Sequence, residues 1–327
     1  MGNRVWAWHF GRGLVATPNV FGSMGAKPTH PELLDWLANW FVANDWSLKK
    51  LNRLILTSAA WQRSTSHPEI AEIRDVDPDG KWLAVFQPRR LTAEEIRDSM
   101  LSTSGELVKS VGGESFRAEI NWEVAFQPRR AMVKTKVLPP WQPNEKRSER
   151  HRRSIYAMRR RNVGHPLMEV LNQPPTEFSC ERRDETTVVT QAFTLFHSEF
   201  SNARALALAA PVVKENPDDL KAQIDSVFEH VYSRPATATE AAKSLAHVRK
   251  MIDHHRANPP KEAPLPTEVT MARYVEKTGE PDPITFQLDG LEEYERDLQP
   301  WQVDAGTRAL AELCLVLLNS SEFLHVY

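Results

Sequence analysis

Apolar residues recurring every third or fourth position, in runs opened by capping residues and closed by proline or glycine, constrain this chain's fold most. Thr29 and Glu32 form a capping-box pattern ahead of Leu33, Leu37, Trp40 and Phe41, which predicts an amphipathic helix ending near Asn44. Ser47 can cap a second helix, with Leu48, Leu51, Leu54 and Ile55 on one face and Lys49, Lys50 and Arg53 on the other. Together they read as a helical hairpin. Thr92 and Glu95 repeat the capping box before Ile96, Met100 and Leu107, and Gly112-Gly113 ends that element.

From 112 to 166 the periodicity fails. Prolines stand at 128, 139, 140 and 143, and Ser154 to Met158 offers one short strand, so the segment reads as an irregular, partly β insertion. Helical spacing returns from Val188 to Ala210, through Ala192, Leu195, Phe196 and Phe200. Asn216-Pro217 then serves as cap and first position for Leu220, Ile224, Phe228 and Val231. Thr237 and Glu240 cap a partner bearing Leu245, Val248 and Ile252, which gives a second hairpin. Pro259 to Pro266 breaks the chain, and a last helix from Val303 to Leu318 buries Leu310, Leu313 and Leu317 before a short terminal turn. The expectation is a mainly α protein of irregular helical domains with hairpins. It divides into an N-terminal region, 1–166, carrying the basic insertion, and a C-terminal region, 167–327, which together make one continuous family domain.

The 327 residues, 41% hydrophobic, can bury one large core or two modest ones. With 41 Lys+Arg against 43 Asp+Glu the net charge is −2, so no global field recruits nucleic acid or anionic lipid. The longest apolar runs are too short to span a bilayer, and residues 1 to 15 lack the apolar stretch of a secretory signal. Two cysteines, Cys180 and Cys314, make no disulfide framework, and with no CxxC or CxxCH pattern no haem is attached to this chain. Charge is nevertheless uneven. Residues 129–161 hold twelve Lys or Arg against Glu145 and Glu149, a local +10. The candidate patch is Arg129, Arg130, Lys134, Lys136, Arg152, Arg153, Arg159, Arg160 and Arg161, with Trp141 or Tyr156 for stacking. The plainer reading is a basic segment that wraps the chain's own acidic surface.

Two candidate sites remain. In the first, Cys180 to Thr187 sets a thiol, two arginines, three carboxylates and two hydroxyls before a helix whose free N–H groups suit an anion. Its candidate ligands are Cys180, Arg183, Thr186 and Thr187, and a nucleophilic Cys180 would require a base such as His165 or His197. The plainer reading has Thr186 or Thr187 capping the helix, with Arg183 paired to Asp184 or Glu94. In the second, Arg89, Arg90, Glu94 and Arg97 straddle a helix start as an arginine clamp for a carboxylate, sulfate or phosphate. Glu94 with Arg97 or Asp98 at helical spacing makes a structural ion-pair network the plainer reading there. Trp82 to Arg90 is echoed at six of nine positions by Trp122 to Arg130, which leaves open a small local duplication or two arginine pairs flanking one site. His247, His254 and His255 lack metal-ligand spacing, and adjacent histidines face different sides of a helix. Trp36, Trp40 and Trp61 sit among periodic apolar residues and read as core anchors.

The ordered blocks carry a resemblance. Asn3-Arg4-Val5-Trp6 with His9 to Val15, His30 to Leu37, Leu56 to Trp61, Arg89-Arg90-Leu91 with Ala93-Glu94 and Ile96-Arg97-Asp98, Ser179 to Arg183 with Thr186-Thr187, and Leu317 to Ser320 with Glu322-Phe323-Leu324 are similar to the planctomycete-type family called domain of unknown function 1553. The segment Val189 to Phe193 with Phe196-His197 departs from the family's usual Thr-Pro-Leu-Gln-Ala-Leu and Leu-Asn. The resemblance implies an exported bacterial parent of periplasmic or cell-envelope location, of which this chain is an N-terminally truncated piece. It also implies a missing upstream domain as partner and, in some parents, haem c in a separate domain. The family brings no reaction with it, so function rests on the site. Three readings follow: a helical binding or scaffold module, part of a hydrolase or redox-linked enzyme on a polyanionic or carbohydrate substrate, or nucleic-acid binding through 129–161. The net charge disfavours the last.

Overall fold

A computed structural model describes residues 1–120, 141–161, 164–180, 182–183, 186, 188–287 and 293–327. The fold is mainly α. The chain divides into two compact units, one of Met1–Leu91, Cys180–Asp184 and His325–Tyr327, the other of Thr92–Ser179 and Glu185–Leu324.

The first unit is built on α1 (Gly2–Phe10), α2 (Pro31–Ala43) and α3 (Leu48–Leu56), with α4 (Ile70–Val76) beyond them. Val5, Trp6, Leu14, Leu37, Phe41, Leu51 and Ile55 form its core. One polar residue ties this core to the loop above it. Buried Asn3 donates to the Val15 carbonyl at 3.0 Å and accepts from the Val15 N–H at 2.9 Å, closing the loop onto α1. Gly13 must be glycine there, since a Cβ would lie 2.7 Å from the Val15 oxygen and 2.8 Å from the Asn3 amide. Gly11 ends α1 at φ 72°, in the left-handed region that side chains disfavour. The strand β1 (Arg89–Arg90) belongs to this unit and pairs antiparallel with β4 (His325–Val326).

The Thr29–Glu32 capping box is not made. Thr29 N–H and hydroxyl bond to the Leu14 carbonyl instead, at 2.8 and 3.3 Å, and Pro31 sets the first turn of α2 with His30 as cap. Ser47 does cap α3 through Lys50 N–H. Trp40 packs on the core, whereas Trp36 is exposed. Trp61 meets Phe10 and Phe86 edge-on.

The second unit holds α5 (Ala93–Thr103), α6 (Arg147–Arg150), α7 (Pro166–Val170), α8 (Val189–His197), α9 (Glu199–Glu215), α10 (Leu220–Tyr232), α11 (Ala238–Ala257), α12 (Ala305–Leu318) and α13 (Ser321–Leu324). The core lies where α9, α10 and α11 pack on α12, around Leu206, Val227, Phe228, Val248, Leu310, Cys314 and Leu318. Thr92 and Thr237 both make the full capping box. α5 stops at Thr103, short of Leu107, because Gly105 takes φ 75° and Glu106 N–H returns to the Leu101 carbonyl. The run from Val188 breaks at Ser198, whose hydroxyl accepts from Ser201 N–H and starts α9 as a new helix. Asp219, not Asn216, caps α10, and Asp304 caps α12 from Thr307 N–H.

In the insertion, Ser154 to Tyr156 forms a 3₁₀ turn in place of a strand, with isolated parallel bridges pairing Phe116 with Ala157 and Val108 with Arg152. Beyond the prolines after α11 stands a hairpin with no counterpart in the expected elements, β2 (Glu268–Met271) on β3 (Ile284–Gln287). Trp122 to Arg130 and the prolines at 128, 139 and 140 lie outside the described residues. Among the described residues no helix is long and apolar enough to cross a membrane.

Asn3→Ala removes both bonds to Val15 and leaves a buried N–H and C=O unpaired, and the expected loss is about 2 to 4 kcal/mol of stability. Urea unfolding followed by tryptophan emission checks it. Asn3→Asp, which keeps only the acceptor, should fall between the two.

Candidate functional site

The densest chemistry in the second unit is a buried set of charges. Arg204 reaches it from α9 and is fully buried, as are Arg150 at the end of α6 and Arg97 on the inner face of α5. Burying a guanidinium is costly unless each head group finds acceptors. Here each finds acceptors, although Arg97 Nε and Arg204 Nε and Nη2 make no hydrogen bond. Arg97 donates to the carbonyls of Arg150 at 2.6 Å and Arg152 at 3.1 Å and to the Ser154 hydroxyl at 3.2 Å. Asp98 fixes the same turn from below, accepting from Ser154 N–H and hydroxyl at 2.8 and 2.6 Å. Arg150 donates to Glu119 at 2.6 Å and to the carbonyls of Asn144, Glu145 and Glu295, while its guanidinium lies 4.3 Å over the Tyr294 ring. Tyr294 in turn donates to Glu119 at 2.6 Å.

Arg204 stands at the centre. Its Nη1 lies 3.1 Å from Glu106 Oε2 and 2.8 Å from His151 Nε2, and its Nη2 lies 2.5 Å from Asp297 Oδ2. The last contact is ionic, since its direction does not suit a hydrogen bond. His151 Nε2 is also 3.0 Å from Asp297 Oδ1, and its Nδ1 is 3.9 Å from Glu106 Oε1. The rings of Phe200 and Phe116 cover the cluster, with Arg97 5.3 Å over each and Arg204 5.2 Å over Phe200.

The electrostatics follow from this enclosure. Burial raises the Glu106 carboxyl above its usual value, against the opposing charge of Arg204. Burial also works against an ionised Asp297, but the hydrogen bond with His151 and the Arg204 charge outweigh it and hold that carboxyl below its usual range. Burial lowers Arg97 to about 10, with Asp98 opposing, so it stays charged near neutrality. Burial and the Glu119 charge push the Tyr294 phenol up. Nearby, burial and the Arg97 charge push His165 down to about 3, leaving it a neutral imidazole.

Glu106, His151 and Asp297 offer ligand atoms within 4.8 Å of one another, a donor set that suits a divalent cation. The Arg204 guanidinium, in contact with all three, already supplies the positive charge at their centre. This set was missed in the sequence because its members lie far apart, at 106, 151, 204 and 297, with no local spacing to join them. The usable signal was Arg204 inside the buried stripe of α9, flanked by Ala203, Ala205 and Leu206.

The sequence candidates are distributed differently. Arg89 and Arg90 form β1 in the first unit, where Arg89 donates to the Arg90 carbonyl at 3.2 Å. Cys180 and Arg183 are members of the same unit, and exposed Cys180 bonds to the Arg182 carbonyl at 3.1 Å. Glu94, Arg97 and Thr186 belong to the second unit. There Glu94 accepts from Gln173 at 3.0 Å, and Thr186 donates to Asn172 at 3.0 Å. Asn172 also accepts from Gln191, a buried amide that holds the start of α8 to the Val170 carbonyl. The beginning of α8 is thus organised by an amide network.

Arg129, Arg130, Lys134, Lys136 and Thr187 lie outside the described residues. Of the remaining basic residues, Arg152 donates to the carbonyls of Glu114 and Gly112 and Arg159 to that of Pro174, while Arg153, Arg159 and Arg161 are exposed. On α11, His255 Nε2 pairs with Glu312 at 2.8 Å and His247 Nε2 lies 4.0 Å from the same carboxylate, so two of the three histidines converge on α12.

Arg204→Met leaves Glu106 and Asp297 facing each other without their cation, and about 3 to 5 kcal/mol of stability should be lost. Adding Glu106→Gln and Asp297→Asn to that variant should restore part of the loss. Equilibrium urea unfolding of the three proteins measures both.

Neither the comparison with curated proteins nor that with solved structures gives a match. The family comparison does, over residues 1–248, and these residues include Asn3, Gly13, Arg97, His151 and Arg204 while Asp297 lies beyond them. The chain therefore belongs to the PSD1 family, described as a protein of unknown function, DUF1553.

Proposed function

We propose that the chain is a helical binding or scaffold module of a larger exported bacterial protein, one that holds a partner rather than turning over a substrate. The observation that carries this reading is the contrast between a closed interior and an open aromatic surface. The buried charges of the second unit are engaged with one another. In the first unit, Trp8, Trp36, Trp46 and Trp82 are between 51% and 64% exposed. Exposed tryptophans in such number favour contact with another surface, since Trp contributes large, rigid apolar area at binding interfaces. The partner proposed is the domain upstream of this one in the parent protein, and any haem c belongs to a separate domain of that parent.

A second reading is favoured by one feature alone. Arg153, Arg159 and Arg161 remain exposed beside exposed Ile155, which supports binding of a polyanionic or carbohydrate ligand by the basic segment. Nucleic acid is the least favoured polyanion, given the net charge of −2.

Coexpression with the polypeptide encoded immediately upstream separates these readings. The module reading predicts copurification that survives high salt and weakens at least about tenfold, or about 1.4 kcal/mol, when Trp8 and Trp36 are changed to Ala. Retention on heparin that collapses between roughly 50 and 200 mM salt, with no copurification, would favour the polyanion reading instead.

A further inference from the structure

The turn that joins α2 to α3 holds one large side chain outward at a cost in backbone strain. Asp45 and Trp46 take φ 58° and 54° in succession, the left-handed region that a bulky side chain seldom enters. The turn is nevertheless tied down. Trp46 N–H donates to the Phe41 carbonyl at 3.0 Å, Asp45 N–H to that of Val42 at 3.2 Å, and the Asn44 amide to that of Trp40 at 2.9 Å. The Trp46 ring meets buried Phe41 edge-on at 5.4 Å yet stays 63% exposed. A rigid aromatic is thus backed by the core and presented outward.

Its sequence neighbours are of two kinds. Val42, Leu48 and Leu56 are exposed aliphatic side chains, and Lys49, Lys50 and Arg53 are exposed cations. Because α3 turns Leu51 and Ile55 into the core, Lys49, Arg53 and Leu56 recur at i, i+4 and i+7 on its outer face. Asp45 is the one acid between Val42 and Leu56, and Lys50 pairs with it at 3.3 Å. Among the described residues Lys49 and Arg53 have no ion-pair partner, so the turn and α3 carry uncompensated positive charge beside exposed apolar surface.

That combination selects among occupants. Lysine is depleted at protein interfaces, and aliphatic side chains offer nucleotide bases no stacking platform. The boundary between hydrocarbon and anionic headgroups suits both kinds of residue at once. There a tryptophan ring and short aliphatic chains gain by leaving water, while lysine and arginine lay their stems along the apolar layer and keep their charges at the lipid phosphates.

We propose that the α2–α3 turn docks the protein on the surface of an anionic lipid bilayer, with Trp46 and the aliphatic side chains beside it entering the headgroup layer and Lys49 and Arg53 meeting the lipid phosphates. The attraction is local. Charges elsewhere on the chain, whose net is −2, lie largely beyond a Debye length of about 10 Å at 0.1 M salt. Docking is peripheral and reversible, since few apolar side chains enter and each cation near the surface strengthens binding only about fivefold. This surface goes beyond the scaffold reading and does not rest on it, because that reading is tested at Trp8 and Trp36.

Flotation of the full chain with vesicles of equimolar phosphatidylglycerol and phosphatidylcholine, beside vesicles of phosphatidylcholine alone, reads the docking. Binding to the anionic vesicles at low salt should be at least about tenfold stronger than to the neutral ones and should be lost near about 500 mM salt. Lys49→Ala combined with Arg53→Ala, both outside the core, should weaken it at least about tenfold, and Trp46→Ala should weaken it at least about threefold. If Trp46→Ala fails to fold, the Lys49 and Arg53 variant decides alone. No flotation at low salt, equal flotation with both vesicles, or flotation unchanged in the Lys49 and Arg53 variant overturns the proposal. So does loss of copurification with the polypeptide encoded upstream in that variant when the parent chain binds no vesicles, a result that assigns the surface to a protein instead.

Discussion

The guanidinium of Arg204, held among Glu106, His151 and Asp297, is the interaction on which the second unit depends. It joins four stretches of chain that no continuous hydrophobic pattern connects: the turn after α5, the end of α6, the middle of α9 and the loop before α12. Apolar packing brings α9, α10, α11 and α12 together, but apolar contact is indifferent to register and to which irregular segment lies where. Directional bonds to a rigid planar cation are not indifferent. Arg97 and Arg150 extend the same principle, with most of their bonds spent on backbone carbonyls of the insertion, so that these carbonyls find donors outside any regular ladder.

This arrangement also explains why a segment carrying +10 need not be a nucleic-acid surface. Part of its charge is structural. Arg150 is the most deeply buried example, and Arg152 closes on the Gly112 and Glu114 carbonyls and on the Tyr156 ring. The carboxylate that pairs with Arg150, Glu119, comes from outside the basic stretch, as does Asp297 beside His151.

Much of the helical architecture was legible in the sequence because capping and periodicity are local. Thr92, Thr237 and Ser47 cap where their side-chain chemistry says they should. Misreadings arose where a neighbour distant in sequence competed for the same residue or an equally good local signal stood nearby. Thr29 is taken by the Leu14 carbonyl, Ser198 divides one apolar run into two helices, and Gly105 rather than Gly112 ends α5. The β2–β3 hairpin escaped notice because its strands are only four residues each, too short for a period-two pattern to stand out. Sequence spacing offers two readings of Arg97, a ligand clamp and a structural ion-pair network, and in the fold it is a buried donor to the carbonyls of Arg150 and Arg152. Its true partners in the cluster, Arg150, His151, Arg204 and Asp297, carry no pattern that sequence spacing can join, and only the fold assembles them.

The most direct test of Arg204 as the central tie is a double-mutant cycle with Asp297, using Arg204→Met, Asp297→Asn and the pair, read by urea unfolding near neutral pH. A coupling energy of at least about 2 kcal/mol is expected for this buried contact. A value below about 0.5 kcal/mol, the level of independent sites, would contradict the account.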